Sequence, residues 1–125
     1  MLIDTDVLID IVRKHPSALR WFTTLAETPL VSGYSAMEFV NGCRDKEELR
    51  RAQKFILAFP LVWPELADLE RALSDYAPKG LSHGVGVIDA RVAATAVGNE
   101  LPLATFNVKH FQALPNIKFI KPYSR

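Results

Sequence analysis

The amino-acid sequence predicts an α/β fold in which helices pack on a short, mostly parallel sheet. Two observations carry that prediction. Short apolar runs recur along the chain and read as buried strands: Leu2-Ile3, Leu30-Val31, Leu61-Val62, Leu103-Ala104 and Ile117-Lys118-Phe119. Between them lie stretches with the apolar spacing of helices. Strands that alternate with helices imply crossover connections and a parallel sheet. The 125 residues suit a single domain, 1–125. A chain of this size buries roughly two-thirds of its unfolded surface.

The first strand stops at Asp4. Asp6 then suits the N-cap of a helix through Val7, Leu8 and Ile9 to about Val12, which His15-Pro16 breaks. Ser17 starts a second helix, with Ala18, Leu19, Phe22, Leu25 and Ala26 on one face. A third helix runs from near Ser35 to near Gly42. A fourth runs from Glu47 to Ala58, with Leu49, Ala52, Phe55 and Ile56 facing the core. Pro64 suits the first turn of a helix whose stripe is Leu66, Leu69, Leu73 and Tyr76. Residues 78–84 read as loop. Ile88 to Val97 is the most apolar helix, and Asn107 suits the cap of a short helix ending near Gln112.

Charge narrows the function classes. There are 15 Lys+Arg against 14 Asp+Glu, a net charge of +1, which excludes a general polycation. A nucleic-acid partner would have to be met by basic residues gathered locally. Cys43 is the only cysteine, which suits a reducing cytoplasm. The opening Met1-Leu2-Ile3-Asp4 lacks the basic region of a signal peptide. No apolar run approaches the roughly 20 residues of a membrane span. A cytoplasmic location, with no membrane partner, is expected.

Most carboxylates keep polar company. Asp45, Glu47 and Glu48 lie beside Lys46, Arg50 and Arg51, and Glu65, Asp68, Glu70 and Asp75 fall off the stripe of their helix. Those read as solvated surface. Asp4, Glu38 and Asp89 are embedded in apolar sequence instead. A lone carboxylate is costly to bury unless something positive or hydrogen-bonding meets it. No matching trio of embedded lysines or arginines exists, so an external hard cation such as Mg²⁺ or Mn²⁺ is the expected partner. Each acid has a structural alternative. Asp4-Thr5-Asp6 suits a strand-to-helix turn, Ser35-Ala36-Met37-Glu38 a capping box, and Asp89 a first-turn helix acid. Thr105 and Asn107 lie just past a predicted strand end, where ligands of such sheets bind.

Four blocks in order carry a family resemblance. They are Leu2-Ile3-Asp4-Thr5-Asp6-Val7-Leu8-Ile9; Val31-Ser32 with Ala36-Met37-Glu38-Phe39; Val87-Ile88-Asp89-Ala90-Arg91-Val92-Ala93-Ala94-Thr95-Ala96; and Leu103-Ala104-Thr105-Phe106-Asn107-Val108-Lys109-His110-Phe111. Over nearly the whole chain the sequence resembles the PIN-domain nucleases, and among them the VapC-like toxins of toxin–antitoxin pairs. The resemblance implies a PIN-like α/β/α sandwich and a divalent metal, Mg²⁺ or Mn²⁺, held by Asp4, Glu38 and Asp89. It implies cleavage of RNA, a homodimer, and a cognate antitoxin that blocks the site. Many relatives carry a fourth acid where this chain has Asn107, which adds no charge. Thr105 would support the site through its hydroxyl.

The chemistry expected is hydrolysis of an RNA phosphodiester. Arg13, Lys14, Arg91 and Lys109 are the basic residues near the blocks. His15, His83 and His110 show no metal-binding spacing. Trp21 and Trp63 read as core. Two rival readings follow from the same residues. Asn107 fits a catalytically silent PIN module that binds RNA or a protein. Asp4-Thr5-Asp6-Val7 also matches the start of a haloacid-dehalogenase-like phosphatase, which would need a downstream lysine and a later acidic pair. Trp21, Phe22, Phe39, Phe55 and Phe59 are a heavy aromatic load, expected to pack the helices from Ser17 and Glu47 against another chain.

Overall fold

The computed structural model describes all 125 residues. The elements follow in chain order: β1 (Leu2–Ile3), α1 (Thr5–Val12), α2 (Pro16–Thr23), β2 (Leu30–Ser32), α3 (Gly33–Asn41), α4 (Lys46–Ile56) and β3 (Leu61–Val62). Then come α5 (Leu66–Arg71), which continues as a π-helical turn (Ala72–Tyr76), α6 (Lys79–His83), α7 (Val87–Gly98), β4 (Leu103–Ala104), α8 (Val108–Phe111) and β5 (Phe119–Ile120). The strands form one sheet in the order β3-β2-β1-β4-β5, and every pairing is parallel.

Register explains why the strands read as unbroken apolar runs. Leu2 pairs with Leu30 and Leu103, while Ile3 pairs with Val31 and Ala104. Successive side chains point to opposite faces. Leu2 and Leu103 join a core with Tyr76, Ala90, Val92, Ala93 and Phe111, under α7, α8 and the π-turn. Ile3, Val31 and Ala104 join the opposite core with Val7, Leu8, Ile11, Ala18 and Ile56, under α1, α2 and α4. Both faces are covered, as in other all-parallel sheets. This is the expected α/β/α sandwich. The chain runs outward from β1 through β2 and β3, then returns to β4 on its other side. That reversal opens a crevice at the carboxyl ends of β1 and β4.

Several boundaries differ from the sequence reading, each for a local reason. Asp4, not Asp6, caps α1 by accepting the Thr5 N–H. The third helix starts at Gly33 because the Ser32 hydroxyl takes the Tyr34 N–H at 3.2 Å. Residues 79–83, expected as loop, form a short helix that Gly84 ends with φ +71°. The last strand is Phe119–Ile120, set by the pairing of Leu103 with Phe119. The stripe after Pro64 is broken by the π-turn, which adds a residue to the turn and rotates the face. Ala72 and Tyr76 stay inside, Leu69 is half-buried, and Leu66 and Leu73 are exposed.

Two readings of single side chains are corrected. Asp68 is buried, not solvated: it accepts the Glu65 N–H at 2.9 Å and a bond from Arg71 at 3.3 Å. Trp63 is 53% exposed, lying across Gly33 and edge-on to Tyr34. Within the chain the five aromatics pack partly on aromatic neighbours, and Trp21, Phe22, Phe39 and Phe55 stay half-buried. Phe59 is buried against Phe22 and Phe55, Phe55 meets Phe39, and Trp21 meets Tyr123. Prominent exposed apolar side chains beside α5 to α7 are Leu66, Leu73, Leu81 and Val87. No helix is long and apolar enough to cross a membrane.

The α5–α7 contact gives a test of the packing. A Cβ at Gly98 would collide with the Asp68 carboxylate. That carboxylate cannot swing aside without leaving Arg71 and the Glu65 N–H. Gly98→Ala should therefore lower stability by about 1–3 kcal/mol despite its better helix propensity. Urea unfolding should show a lower midpoint with an unchanged slope.

Candidate active site at the carboxyl end of the sheet

One cleft of about 410 Å³ is lined by Asp4, Thr5, Asp6, Glu38, Asp89, Phe106, Asn107 and Arg125. It lies at the crevice between β1 and β4. The end of β1 delivers Asp4, α3 delivers Glu38, the first turn of α7 delivers Asp89, and the loop after β4 delivers Asn107. Residues far apart in sequence meet because these four segments converge at the same edge of the sheet.

Asp4 is the deepest acid of the cleft, only 8% exposed. Its Oδ1 accepts the Thr5 N–H at 2.8 Å, and its Oδ2 accepts the Thr105 hydroxyl at 2.8 Å. The Thr105 oxygen in turn accepts the Asn107 N–H at 2.9 Å. Thr105 is wholly buried and supports the cleft from beneath without lining it. Burial pushes the Asp4 carboxyl up to about 7, and the nearby charge of Asp6 adds to it. The bonds from Thr105 and Thr5 oppose the rise, and Asp89 adds a smaller push.

Asp6 is the acid that the sequence reading assigned only a capping role. Its Oδ1 accepts the Val7 N–H at 2.7 Å and its Oδ2 the Phe106 N–H at 2.9 Å. It thereby ties α1 to the loop after β4. Burial raises its carboxyl above the ordinary range, against those two bonds and the charge of Arg125. The readable signal was two acids spaced two apart just after a strand.

One histidine nitrogen lies between Asp89 and Asn107. His110 Nδ1 lies 3.0 Å from Asp89 Oδ2 and 2.9 Å from the Asn107 amide. With its proton on Nδ1, His110 donates to Asp89; with Nδ1 bare, it accepts from the Asn107 amide instead. Asp89 also accepts the Gly86 N–H at 3.4 Å, so the helix-capping alternative coexists with its place in the cleft. The alternative for Glu38 fails. The helix is capped at Ser32, Glu38 lies beyond its first turn, and the Ser35 hydroxyl is buried without a partner. Glu38 is exposed to the cleft.

Other candidates lie elsewhere. Arg13 lines a neighbouring groove of about 620 Å³ with Arg44 and Arg51, which shares Thr5 and Glu38 with the cleft. Arg91 sits 5.3 Å over the Tyr34 ring and lines an apolar hollow. Lys14 and Lys109 are exposed outside the cleft. His83 bonds its neighbour Ser82, and His15 stacks on Tyr123. Arg125 was not foreseen, because no local pattern marks it.

The donor set suits a hard divalent cation. It is all oxygen, it contains four carboxylates, and its deepest member is desolvated beside like charge. The acids do not form a closed cluster of metal ligands as they stand, although the sequence reading had Asp4, Glu38 and Asp89 drawn around one ion. The reason is visible in their bonds. Asp4 is turned to Thr105 and Asp89 to His110, each held by donors on its own side of the cleft.

The fold and this cleft define a class. The model of the PIN domain matches residues 1–116, and the chain belongs to the PIN-domain family. The phosphatase alternative falls with that assignment. Among curated proteins the chain is similar to Ribonuclease VapC10 of Mycobacterium tuberculosis, with 34% identity over 122 residues, 94% of this chain and 90% of the relative. It is also similar to Ribonuclease VapC19 of the same organism, with 30% identity over 123 residues, 94% of this chain and 96% of the relative. Its fold is shared by a toxin–antitoxin complex chain from Klebsiella pneumoniae: TM-score 0.77, 23% identity, 99% of this chain and 98% of that one.

The raised Asp4 carboxyl predicts how stability follows pH. Its value rises from 3.8 to about 7 on folding. In that window the folded state holds a proton that the unfolded chain has released. The resulting stabilisation is present at low pH and is lost as pH rises through about 7. In chelator, the thermal midpoint should fall between about pH 5 and about pH 8. Asp4→Asn should shrink that fall and be the more stable protein at the upper end. Scanning calorimetry at matched ionic strength checks both outcomes.

Proposed function

We infer that this chain is a metal-dependent ribonuclease, the toxin of a toxin–antitoxin pair. The observation that carries the reading is the buried Asp4 facing Asp6, Glu38 and Asp89 at the switch point of a parallel sheet. The relatives named ribonucleases supply the substrate class. The toxin–antitoxin complex that shares the fold supplies the partner, a cognate antitoxin. The reading places one domain at 1–125 in the cytoplasm. The segment beyond the matched 116 residues is tied back to α1 by bonds from Tyr123 and Arg125 to Asp10.

Asp4, Asp89 and Glu38 would hold Mg²⁺ or Mn²⁺. When bound, such an ion lowers the pKa of water and offsets charge on phosphoryl oxygens. Thr105 commits its hydroxyl proton to Asp4 and so fixes that carboxylate. His110 and Gly86 hold Asp89 in the same way. Glu38 carries no competing hydrogen bond and accepts the proton of the attacking water. Water attacks phosphorus in line and the 3′-oxygen leaves, giving a 5′-phosphate and a free 3′-hydroxyl. Asn107 contributes an amide in place of a fourth charge.

A homodimer belongs to the same reading, and its face is Leu66, Leu73, Leu81 and Val87. Leu73 is 75% exposed, so Leu73→Asp costs the monomer little. Light scattering should show a dimer for the wild type and a monomer for Leu73→Asp. A wild type that stays monomeric at high concentration removes the homodimer.

The activity test uses Asp89→Asn, which keeps the shape and removes the charge. Cleavage of single-stranded RNA should fall by roughly a thousandfold, equivalent to several kcal/mol of lost charge stabilisation, while the protein stays folded. Chelator should abolish cleavage, Mg²⁺ or Mn²⁺ should restore it, and Ca²⁺ should not. A silent module would show no metal binding that depends on Asp4 and Asp89. Products ending in a 2′,3′-cyclic phosphate would overturn the mechanism.

A further inference from the structure

Arg125 is the one cation among the residues that line the acidic cleft. Its placement is built from three sides. Nε donates to Asp10 Oδ2 at 3.0 Å, and the Tyr123 hydroxyl donates to the same oxygen at 2.8 Å. The guanidinium lies 4.2 Å from the centre of the Phe106 ring. Nη2 reaches the Asp6 carbonyl oxygen at 3.5 Å. Burial pushes the Asp10 carboxyl up, but the bonds from Tyr123 and Arg125 outweigh it and hold it below its ordinary value.

These anchors use one edge and one face of the group. A guanidinium carries five N–H donors in a planar fork, always charged. One goes to Asp10 and one to the Asp6 carbonyl, so three remain. The side chain is 46% exposed, although it is fixed at its base. Asp10 itself does not line the cleft. The anchor therefore stands behind the arginine and the cleft lies in front of it.

An RNA strand entering this cleft brings a row of phosphates toward four carboxylates. The strand needs a positive group at the rim for the phosphate beside the one attacked. We propose that Arg125 is that group: a substrate-binding arginine that grips a phosphate neighbouring the scissile linkage with its free N–H fork. The proposal rests on the ribonuclease reading of the cleft. Bidentate arginine–phosphate pairing supplies both charge and orientation. Asp10, Tyr123 and Phe106 position the arginine and do not touch RNA.

The test is binding of a mixed-sequence single-stranded RNA, followed by fluorescence anisotropy over a range of salt. The full chain carries Asp89→Asn to prevent cleavage. Adding Arg125→Ala should raise Kd about tenfold, the loss of one charged hydrogen-bonding group. The slope of log Kd against log salt should shrink by about 0.7, the loss of one phosphate contact on a single strand. Arg125→Gln keeps the stem and donors without the charge and should give the same change in slope. Without Asp89→Asn, Arg125→Ala should raise KM more than it lowers kcat. Tyr123→Phe loses one bond to Asp10 and should leave the slope unchanged. An unchanged slope in both Arg125 variants, with only a lower thermal midpoint, would make Arg125 a strut for Asp10 and overturn the proposal. Undiminished cleavage by Asp89→Asn alone would instead sink the ribonuclease reading itself.

Discussion

The hydrogen bond from the Thr105 hydroxyl to the Asp4 carboxylate holds the functional end of this molecule together. It spans 2.8 Å and joins residues 101 apart in the chain. It crosses the point where strand order reverses, so it ties the two halves of the sheet at their carboxyl ends. Thr105 reaches it only because Leu2 pairs with Leu103 and Ile3 with Ala104. A shift of one residue would turn both strands over and point these side chains at the wrong faces. The apolar register and the polar site are therefore one constraint. The core sets the register, and the register brings Thr105 to Asp4.

Burial then does chemical work at that position. Desolvation and like charge raise the Asp4 carboxyl, while two hydrogen bonds favour its ionised form. The folded chain keeps this strained arrangement because the sheet beneath is covered on both faces. The neighbouring acids are restrained in the same style. Asp6 is held by backbone N–H groups of α1 and the loop after β4, and Asp89 by Gly86 and His110. Three of the four carboxylates are held by polar contacts and Glu38 is left open, so the cleft is pre-shaped for positive charge. Arrangements of this kind place the cost of like charge on the scaffold and return it when a cation enters.

A second set of contacts links the sheet's far end to the same cleft. Past β5 the chain folds back over α1, where Tyr123 packs on Phe106, Trp21 and His15. Its hydroxyl and the Arg125 guanidinium share Asp10. Phe106 thus has two neighbours from one segment, a tyrosine ring and a guanidinium. The loop that carries Asn107 is braced by the aromatic packing of residues near the other end of the sequence. The apolar layer and the charged cleft meet at this ring.

The sequence by itself determined the layer architecture, the parallel sheet and the identity of the embedded acids. Those follow from local pattern. Five apolar runs alternate with helical stretches, and Asp4, Glu38 and Asp89 stand out against apolar neighbours. It also assigned Thr105 a supporting hydroxyl through family resemblance. The π-turn after α5, the cap at Ser32 and the helix at 79–83 were not legible, because each turns on which backbone donor finds which acceptor in three dimensions. Asp68 looked solvated because its burial comes from α7 packing over it at Gly98, although its partners Glu65 and Arg71 are local. Asp6 and His110 took their places only when loops from opposite halves of the chain closed on them. Arg125 is the clearest case: its role depends on Asp10 and Phe106, residues 115 and 19 positions away along the chain. Periodicity reports which side of an element is dry. Only the tertiary structure decides which distant groups share that edge, because long-range hydrogen bonds and ion pairs leave no periodic trace.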